Sequence, residues 1–316
     1  MNMESVVSKK LLVPGISLLV LVALAASPLY ASSYTVILLT SIFMYITITV
    51  SWAMFSGPTG YISLAPAAFF GAGVYASALL GRALPLPAVV CIGGIASFCL
   101  ALLVGALTLR LKGTYFAIFT FGLGELIRHL LLFWEITVTS TRGRLVIQID
   151  FKIVYYVMLG IFVMSMITAY LIRRSKYGLA LEGIGQEEEA TAHTGVNVTM
   201  VKVVTFAISA FFIGMTGSIM ATKWTYIDPY IAFNPLYSFM PVLMAIFGGM
   251  GQIFGPVLGA GIFTYLEEYL ISTFPYHYML IFGVIMLVAI LYLPDGIVGL
   301  VQKTWKRMRR RKYADT

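Results

Sequence analysis

Charge is scarce in this chain. Only 11% of its 316 residues are charged, 13 acidic and 21 basic, against roughly 25% in ordinary soluble domains, and that excludes a soluble globular protein. Cysteine and histidine are nearly absent. Cys91 and Cys99 are the two cysteines and share one apolar run, where thiols act as small core residues and build no disulfide framework. The three histidines, His129, His193 and His277, stand far apart, so no metal site is expected. The phosphate-cradling G-x-x-x-x-G-K-[ST] does not occur, nor do H-E-x-x-H or G-x-S-x-G. Any energy from ATP must therefore enter through another chain, and no catalytic residue is assigned.

What the chain has in abundance is apolar sequence: 60% hydrophobic residues and a mean hydropathy of +0.93. Apolar runs long enough for a membrane helix, roughly 17–25 residues, recur throughout, and the alternating segments of a β-barrel do not appear. The expected fold is an all-α polytopic membrane helix bundle of about ten segments. These run from Leu11 to Pro28, Tyr34 to Phe55, Ser56 to Gly81, Pro87 to Leu109, Thr114 to Phe133, Ile153 to Ile172, Val203 to Ala221, and His277 to Leu293. Leu236 to Leu270 is too long for one helix; it is read as two antiparallel segments, with breaks at Gly248–Gly251 and again at Gly255-Pro256. The first run, preceded by Lys9 and Lys10, is read as an uncleaved span, with a cleaved signal peptide as the alternative. Residues 1–302 form one transmembrane domain and 303–316 a basic tail.

An even number of segments puts both termini on one side. With that side cytoplasmic, it holds Lys9, Lys10, Arg110, Lys112, Arg173, Arg174, Lys176, Lys202 and the tail residues Lys303, Lys306, Arg307, Arg309, Arg310, Arg311 and Lys312. Opposite lie Arg82, Arg142, Arg144, Lys152 and Lys223. This asymmetry satisfies the positive-inside rule. It also reads the net charge of +8 as a membrane-surface anchor, with no nucleic-acid partner. The polar loop 173–202 is then cytoplasmic.

Two interrupted stretches in opposite halves, Gly60–Gly73 and Gly251–Gly261, each pass a proline and end in Gly-Ala-Gly. Broken segments in corresponding halves point to a midplane transport site, because half-helix ends present N–H and C=O groups to a polar solute. Gly60, Ser63, Pro66, Gly249, Gly251, Gly255 and Pro256 are the candidates for that path. Close helix packing through small residues is the competing explanation. Glu125, Arg128 and His129 share one face of a span at i, i+3 and i+4. Ionisable groups at membrane depth face a bundle interior or a wet cavity, so Glu125 and Arg128 join the path candidates. A self-neutralising pair that locks two helices together is the plainer reading. Glu267-Glu268 falls near the outer end of its segment and reads as interfacial.

Within the central loop, Glu189-Ala190-Thr191, three residues and then Gly195 approach E-A-A-x-x-x-G, which resembles the coupling loop of ABC-importer permeases. A solvated surface loop carrying the acid run Glu187-Glu188-Glu189 is the simpler alternative. Further motifs stand in a fixed order: Gly57–Gly73; Gly113-Thr114-Tyr115-Phe116-Ala117 with Glu125 and Arg128; Tyr177-Gly178 through Gly195-Val196-Asn197-Val198 with Lys202 and Phe206; Gly248–Gly261; and Leu293-Pro294-Asp295-Gly296. Together they resemble the M-type permeases of high-affinity branched-chain amino-acid ABC importers, the LIV family, from about Gly57 to Gly299. The chain departs from the family pattern at three places. Ser63-Leu64-Ala65-Pro66 stands where S-L-G-H is usual, Glu182 and Gly185 where arginines are usual, and Thr139–Gly143 where T-G-G is usual.

The resemblance implies a permease subunit in a bacterial or archaeal cytoplasmic membrane. It implies a second permease, two ATP-binding subunits that hold ATP-Mg, and a periplasmic or lipid-anchored solute-binding protein, with no cofactor bound by this chain. Glu188, Glu189, Ala190, Gly195, Val196 and Asn197, on a short helix at about Gly185–Gly195, would contact the ATPases. Urea, short amides or aromatic acids are alternative cargoes. A stand-alone proton-coupled carrier using Glu125 and His129 is the rival class.

Overall fold

The computed structural model describes residues 21–252, 254–292 and 296–299. Lys9, Lys10, the start of the first run, the Leu293-Pro294-Asp295 turn and the basic tail lie outside them. Along the described chain the elements are α1 (Leu21–Tyr30), α2 (Ser33–Thr59), α3 (Pro66–Leu80), α4 (Leu86–Thr108), α5 (Thr114–Thr137), β1 (Arg144–Leu145), α6 (Phe151–Arg174), α7 (Lys176–Gln186), α8 (Glu188–His193), α9 (Val198–Ala221), β2 (Tyr226–Ile227), α10 (Pro229–Ala232), α11 (Leu236–Gly248), α12 (Phe254–Thr273) and α13 (Tyr278–Tyr292). Among the described residues six stretches are long and apolar enough to cross a membrane: α2, α4, α5, α6, α9 and Pro229–Gly248, the last made of α10 and α11.

Local chemistry explains the boundaries. Ser32 caps α2 through its side chain, and Gly60, in the left-handed conformation at φ 71°, ends it. Pro66 opens α3 as a first-turn proline, the position where its missing N–H costs nothing. Asp150 caps α6, Ser175 caps α7 and Asn197 caps α9, each accepting a backbone N–H. Arg173 and Arg174 close α6, where cations meet the negative end of the helix dipole. The long stretch divides after Gly248, where α11 ends, as its glycines predict. Gly255-Pro256 makes no second break: it lies in the first turn of α12, where proline is tolerated. One pair of two-residue strands, β1 and β2, joins antiparallel in a ribbon that the all-α reading did not include.

The centre of the bundle is α9, the most buried of the long spans, while α5 is the least buried. Around α9, side chains shrink until backbones touch. A Cβ on Gly73 of α3 would lie 2.0 Å from the Gly214 carbonyl oxygen of α9. Ser218 Oγ donates to Gly73 O at 2.8 Å, and Ser97 Oγ of α4 donates to Phe69 O at 2.8 Å. Small residues and inter-helix hydroxyl bonds are how membrane helices associate, since apolar burial alone gives no preference over lipid. The large exposed apolar residues, Tyr115, Leu107, Leu130 and Leu280 among them, are the surface a bilayer or neighbouring subunit covers.

The ends of the helices gather in two sets. One end holds the close of α2, the α4–α5 turn, α7, α8, the start of α9 and the α11–α12 turn. The other holds the α3–α4 turn, the 138–150 segment with its ribbon, α10 and the α12–α13 turn.

Candidate functional site

Loop 173–202 folds as two helices, α7 and α8, meeting at Glu187, which is extended at φ −156°. The short helix expected at about Gly185–Gly195 is narrower than that: Gly185 belongs to α7, and α8 starts at Glu188. Of the acid run, Glu187 and Glu189 are exposed and Glu188 turns inward. Lys202 Nζ donates to Glu188 Oε1 at 2.7 Å, and Tyr61 Oη donates to Oε2 at 2.5 Å. Lys202 also donates to Leu109 O at 3.0 Å and lies over the Tyr61 ring at 4.8 Å. Its side chain is only 3% exposed, so the ammonium has no water to fall back on. Burial pushes the Glu188 carboxyl up, but the hydrogen bonds from Lys202 and Tyr61, with the charges of Lys202 and Lys112, outweigh that and hold it below the ordinary carboxylate range. Bonds to an ionised group at such distances are the strong kind. One carboxylate therefore fastens α8 to the start of α9 and to the irregular stretch after α2, and Lys202 carries the link on to Leu109 at the end of α4.

Past Glu188, the stretch from Glu189 to Asn197 is mostly solvent-facing. Glu189 and Ala190 are exposed, as are Gly195 and Asn197, while Val196 is half-buried. Glu189 reaches Lys112 at 3.9 Å with both side chains wet, a contact worth little. Gly195 stands at φ +84° with open space around it, so its glycine serves the turn between α8 and α9 rather than a close approach. Asn197 accepts from Met200 N at 3.0 Å.

A cavity of about 340 Å³ opens among the end of α2, the end of α6, α7 and the α11–α12 turn. Gly57, Arg173, Glu182, Gly185, Gly251 and Pro256 are on its wall. Arg173 donates to Gly251 O at 2.5 Å, tying α6 to the second broken segment. Gly185 is pressed against α2, since a Cβ there would lie 2.0 Å from Pro58 O. The loop and both broken segments thus meet at one end of the molecule.

The first break rises from Gly60 to Pro66 and its polar groups are met within the protein. Trp52 Nε1 donates to Ser63 O at 2.8 Å, Leu64 N to Thr120 Oγ1 at 3.0 Å and Ala67 N to Ser238 Oγ at 3.0 Å. Ser63 Oγ accepts from Ala65 N at 3.2 Å. At the second break Gly249 takes φ 102°, and a Cβ on Gly255 would lie 2.0 Å from Gly249 O. In this conformation the geometry of both breaks is that of close packing and internally bonded backbone.

Glu125 and Arg128 pair along one turn of α5. Arg128 stacks over Tyr230 of α10 at 5.0 Å, and His129 is exposed. This pair lies away from the Glu188 cluster and the two are not brought together. Sequence reasoning missed Glu135, which is fully buried. Tyr75 Oη donates to its Oε1 at 3.1 Å and Gly143 N to its Oε2 at 3.0 Å, with Arg144 Nε at 3.8 Å. It pins α5 to α3 and to the segment leading into β1. The available signal was an acid at the very end of an apolar span with Arg142 and Arg144 just beyond it.

Buried polar clamps, glycine-broken helices and an apolar exterior define a multi-pass helical membrane protein. Residues 34–290 match the family described as branched-chain amino acid transport system / permease component, and the chain belongs to that family. It is similar to the high-affinity branched-chain amino acid transport system permease protein LivM of Salmonella typhimurium, 27% identical over 90% of this chain and 75% of the relative. The LivM of Escherichia coli K12 is 26% identical over 96% of this chain and 82% of its own length. A shorter similarity, 30% identity over 40% of this chain and 41% of the relative, extends to the LivH permease of the same organism. No solved structure matches the chain.

Proposed function

We propose that this chain is a permease subunit of an ATP-driven importer for branched-chain amino acids, forming the translocation path with a second permease. Two ATP-binding subunits act on α8 and its flanks from the cytoplasm, through Glu188, Glu189, Ala190, Gly195, Val196 and Asn197, and a periplasmic or lipid-anchored binding protein delivers the solute. The chain crosses a bacterial or archaeal cytoplasmic membrane about ten times with both termini inside. Gly60, Ser63, Pro66, Gly249, Gly251, Gly255, Pro256, Glu125 and Arg128 are the proposed path residues. Family membership and LivM similarity along most of the chain support this reading.

One observation carries the coupling mechanism: the carboxylate of Glu188 is held at once by Lys202 and by Tyr61. Tyr61 is the residue after Gly60, at the start of the irregular stretch leading into α3. A displacement of α8 by an ATPase is therefore delivered directly to the broken segment. A push shifts a transport equilibrium only if the two states differ in their contacts, and this clamp supplies such a contact. Glu125 is paired with Arg128 on its own helix, which counts against a proton-coupled carrier built on Glu125 and His129.

The test is Gly195→Pro in the complete complex reconstituted in liposomes. Proline fixes φ near −65°, incompatible with φ +84°, so the α8–α9 turn must re-form. ATP-driven leucine uptake is expected to be lost while membrane insertion and span folding persist. Wild-type uptake by this variant would refute the coupling role.

A further inference from the structure

A second cavity, of about 180 Å³, opens at the end of the bundle opposite α8, among α2, α9, α11 and α12. Lys223 lines it together with the carboxylates Glu267 and Glu268, and Met44, Trp224 and Ile271 supply apolar wall. Opposite charges around a small cavity ordinarily collapse onto each other. Here, among the described residues, no ion pair within 4.0 Å joins Lys223 to either glutamate. Their hydrogen bonds are weak as well: Lys223 reaches Ser41 Oγ at 3.4 Å and Glu268 accepts from Tyr34 Oη at 3.3 Å, both long for charged groups. Glu267 has no hydrogen-bond partner among the described residues. The bundle thus holds an ammonium and two carboxylates apart across a gap, with their bonding capacity largely unspent.

We propose that this cavity recognises the zwitterionic head of an apolar amino acid as it enters the membrane subunit. The solute carboxylate faces Lys223, its ammonium faces the Glu267-Glu268 pair, and its side chain lies against Trp224, Met44 and Ile271. A simple cation is disfavoured by Lys223 and a simple anion by the two glutamates; a molecule carrying both charges completes the set. The volume falls below the roughly 300–1,000 Å³ of clefts that hold drug-sized ligands, so the space suits one amino acid and not a peptide. The inference rests on the amino-acid importer reading and deepens it by assigning an entry site on this chain.

The test uses the membrane complex of this chain with its partner subunits in lipid nanodiscs, without the binding protein. Binding of leucine is compared with leucinamide, which lacks the carboxylate, and 4-methylpentanoate, which lacks the ammonium. Lys223→Met is expected to weaken leucine about 10- to 100-fold, the loss of one charged hydrogen bond, and to bind leucinamide at least as well as the wild type does, since the charge that repels a lone ammonium is gone. Lys223→Arg should restore leucine binding, which separates recognition from misfolding. Glu267→Gln combined with Glu268→Gln should weaken leucine and bind 4-methylpentanoate at least as well as the wild type does, since the carboxylates that repel it are gone. ATP-driven leucine uptake by the wild-type complex, with its binding protein restored, is measured alongside. If that uptake occurs and the variants bind all three solutes as the wild type does, the entry site is overturned and the importer reading stands. If the wild-type complex imports no leucine, both fall together.

Discussion

The Glu188–Lys202 pair is asymmetric, and the asymmetry makes a prediction. Lys202 is 3% exposed and Glu188 23%. Removing one partner of a buried pair leaves the other uncompensated, at a cost of roughly 3–5 kcal/mol when the survivor is fully buried. Glu188→Ala strands the buried ammonium and is expected to cost about 3 kcal/mol. Lys202→Met leaves a carboxylate that water already reaches and that Tyr61 still serves, and is expected to cost distinctly less. Thermal unfolding of the two variants in detergent, with the double variant closing the cycle, measures the difference. Equal losses would refute the argument. The pH dependence follows from the same pair. The Glu188 carboxyl is depressed in the folded protein, so its stabilising contribution is fully present above the ordinary carboxylate pKa of about 4.3 and fades as pH falls through the lower folded value. Amide exchange across residues 187–202, corrected for intrinsic rates, should show α8 equally protected at pH 8 and 6 and loosened only well below pH 4.5. Loosening already at pH 6 would mean another group controls the docking.

Helix boundaries were more legible in the sequence than helix contacts, and glycine and proline explain why. Gly60, Pro66 and Gly249 act through their own backbone preferences, so the interruptions they cause are visible locally. Gly255-Pro256 misled for the same reason, because proline's effect depends on whether it falls in a first turn or an interior. Ser175 and Glu187, which divide the loop into α7 and α8, carry no glycine or proline signal and went unread. The partners of Glu188 were further out of reach: Tyr61 is 127 residues away in sequence, and no periodicity encodes that distance. Contacts of this kind depend on small residues that bring the helices close enough, and here the test is Gly73. Its added methyl would meet the Gly214 carbonyl at 2.0 Å, and a backbone cannot swing aside as a side chain can. Overpacking of this sort costs typically about 1–3 kcal/mol. Gly73→Ala should therefore lower the melting temperature in detergent, and Gly122→Ala, on the open side of α5 with nothing within 4 Å, should leave it unchanged. A similar effect of both variants would mean that α3 and α9 are not in backbone contact.

For the molecule as a whole the decisive quantity is which end faces the cytoplasm, because the coupling and entry proposals depend on it in opposite ways. The α8 end carries Arg110, Lys112, Arg173, Arg174 and Lys176 beside its acids, and the ribbon end carries Arg82, Arg142, Arg144, Lys152 and Lys223. Among the described residues, with Lys202 added, the α8 end leads by only six to five in arginine and lysine. The larger bias expected from the sequence rests on Lys9, Lys10 and the seven basic residues of the tail, all outside the described residues, and positive-inside counting gives weight to residues close to the spans. An experiment on the folded chain removes that dependence on the termini. In a background where Cys91 and Cys99 are replaced by serine, Thr194→Cys marks the exposed turn after α8 and Thr141→Cys the exposed loop before β1. A membrane-impermeant maleimide added to intact cells should label Thr141→Cys at once and Thr194→Cys only after permeabilisation. The reverse pattern would put α8 outside, out of reach of any cytoplasmic ATPase. The Lys223 cavity would then open inward, as an exit rather than an entrance.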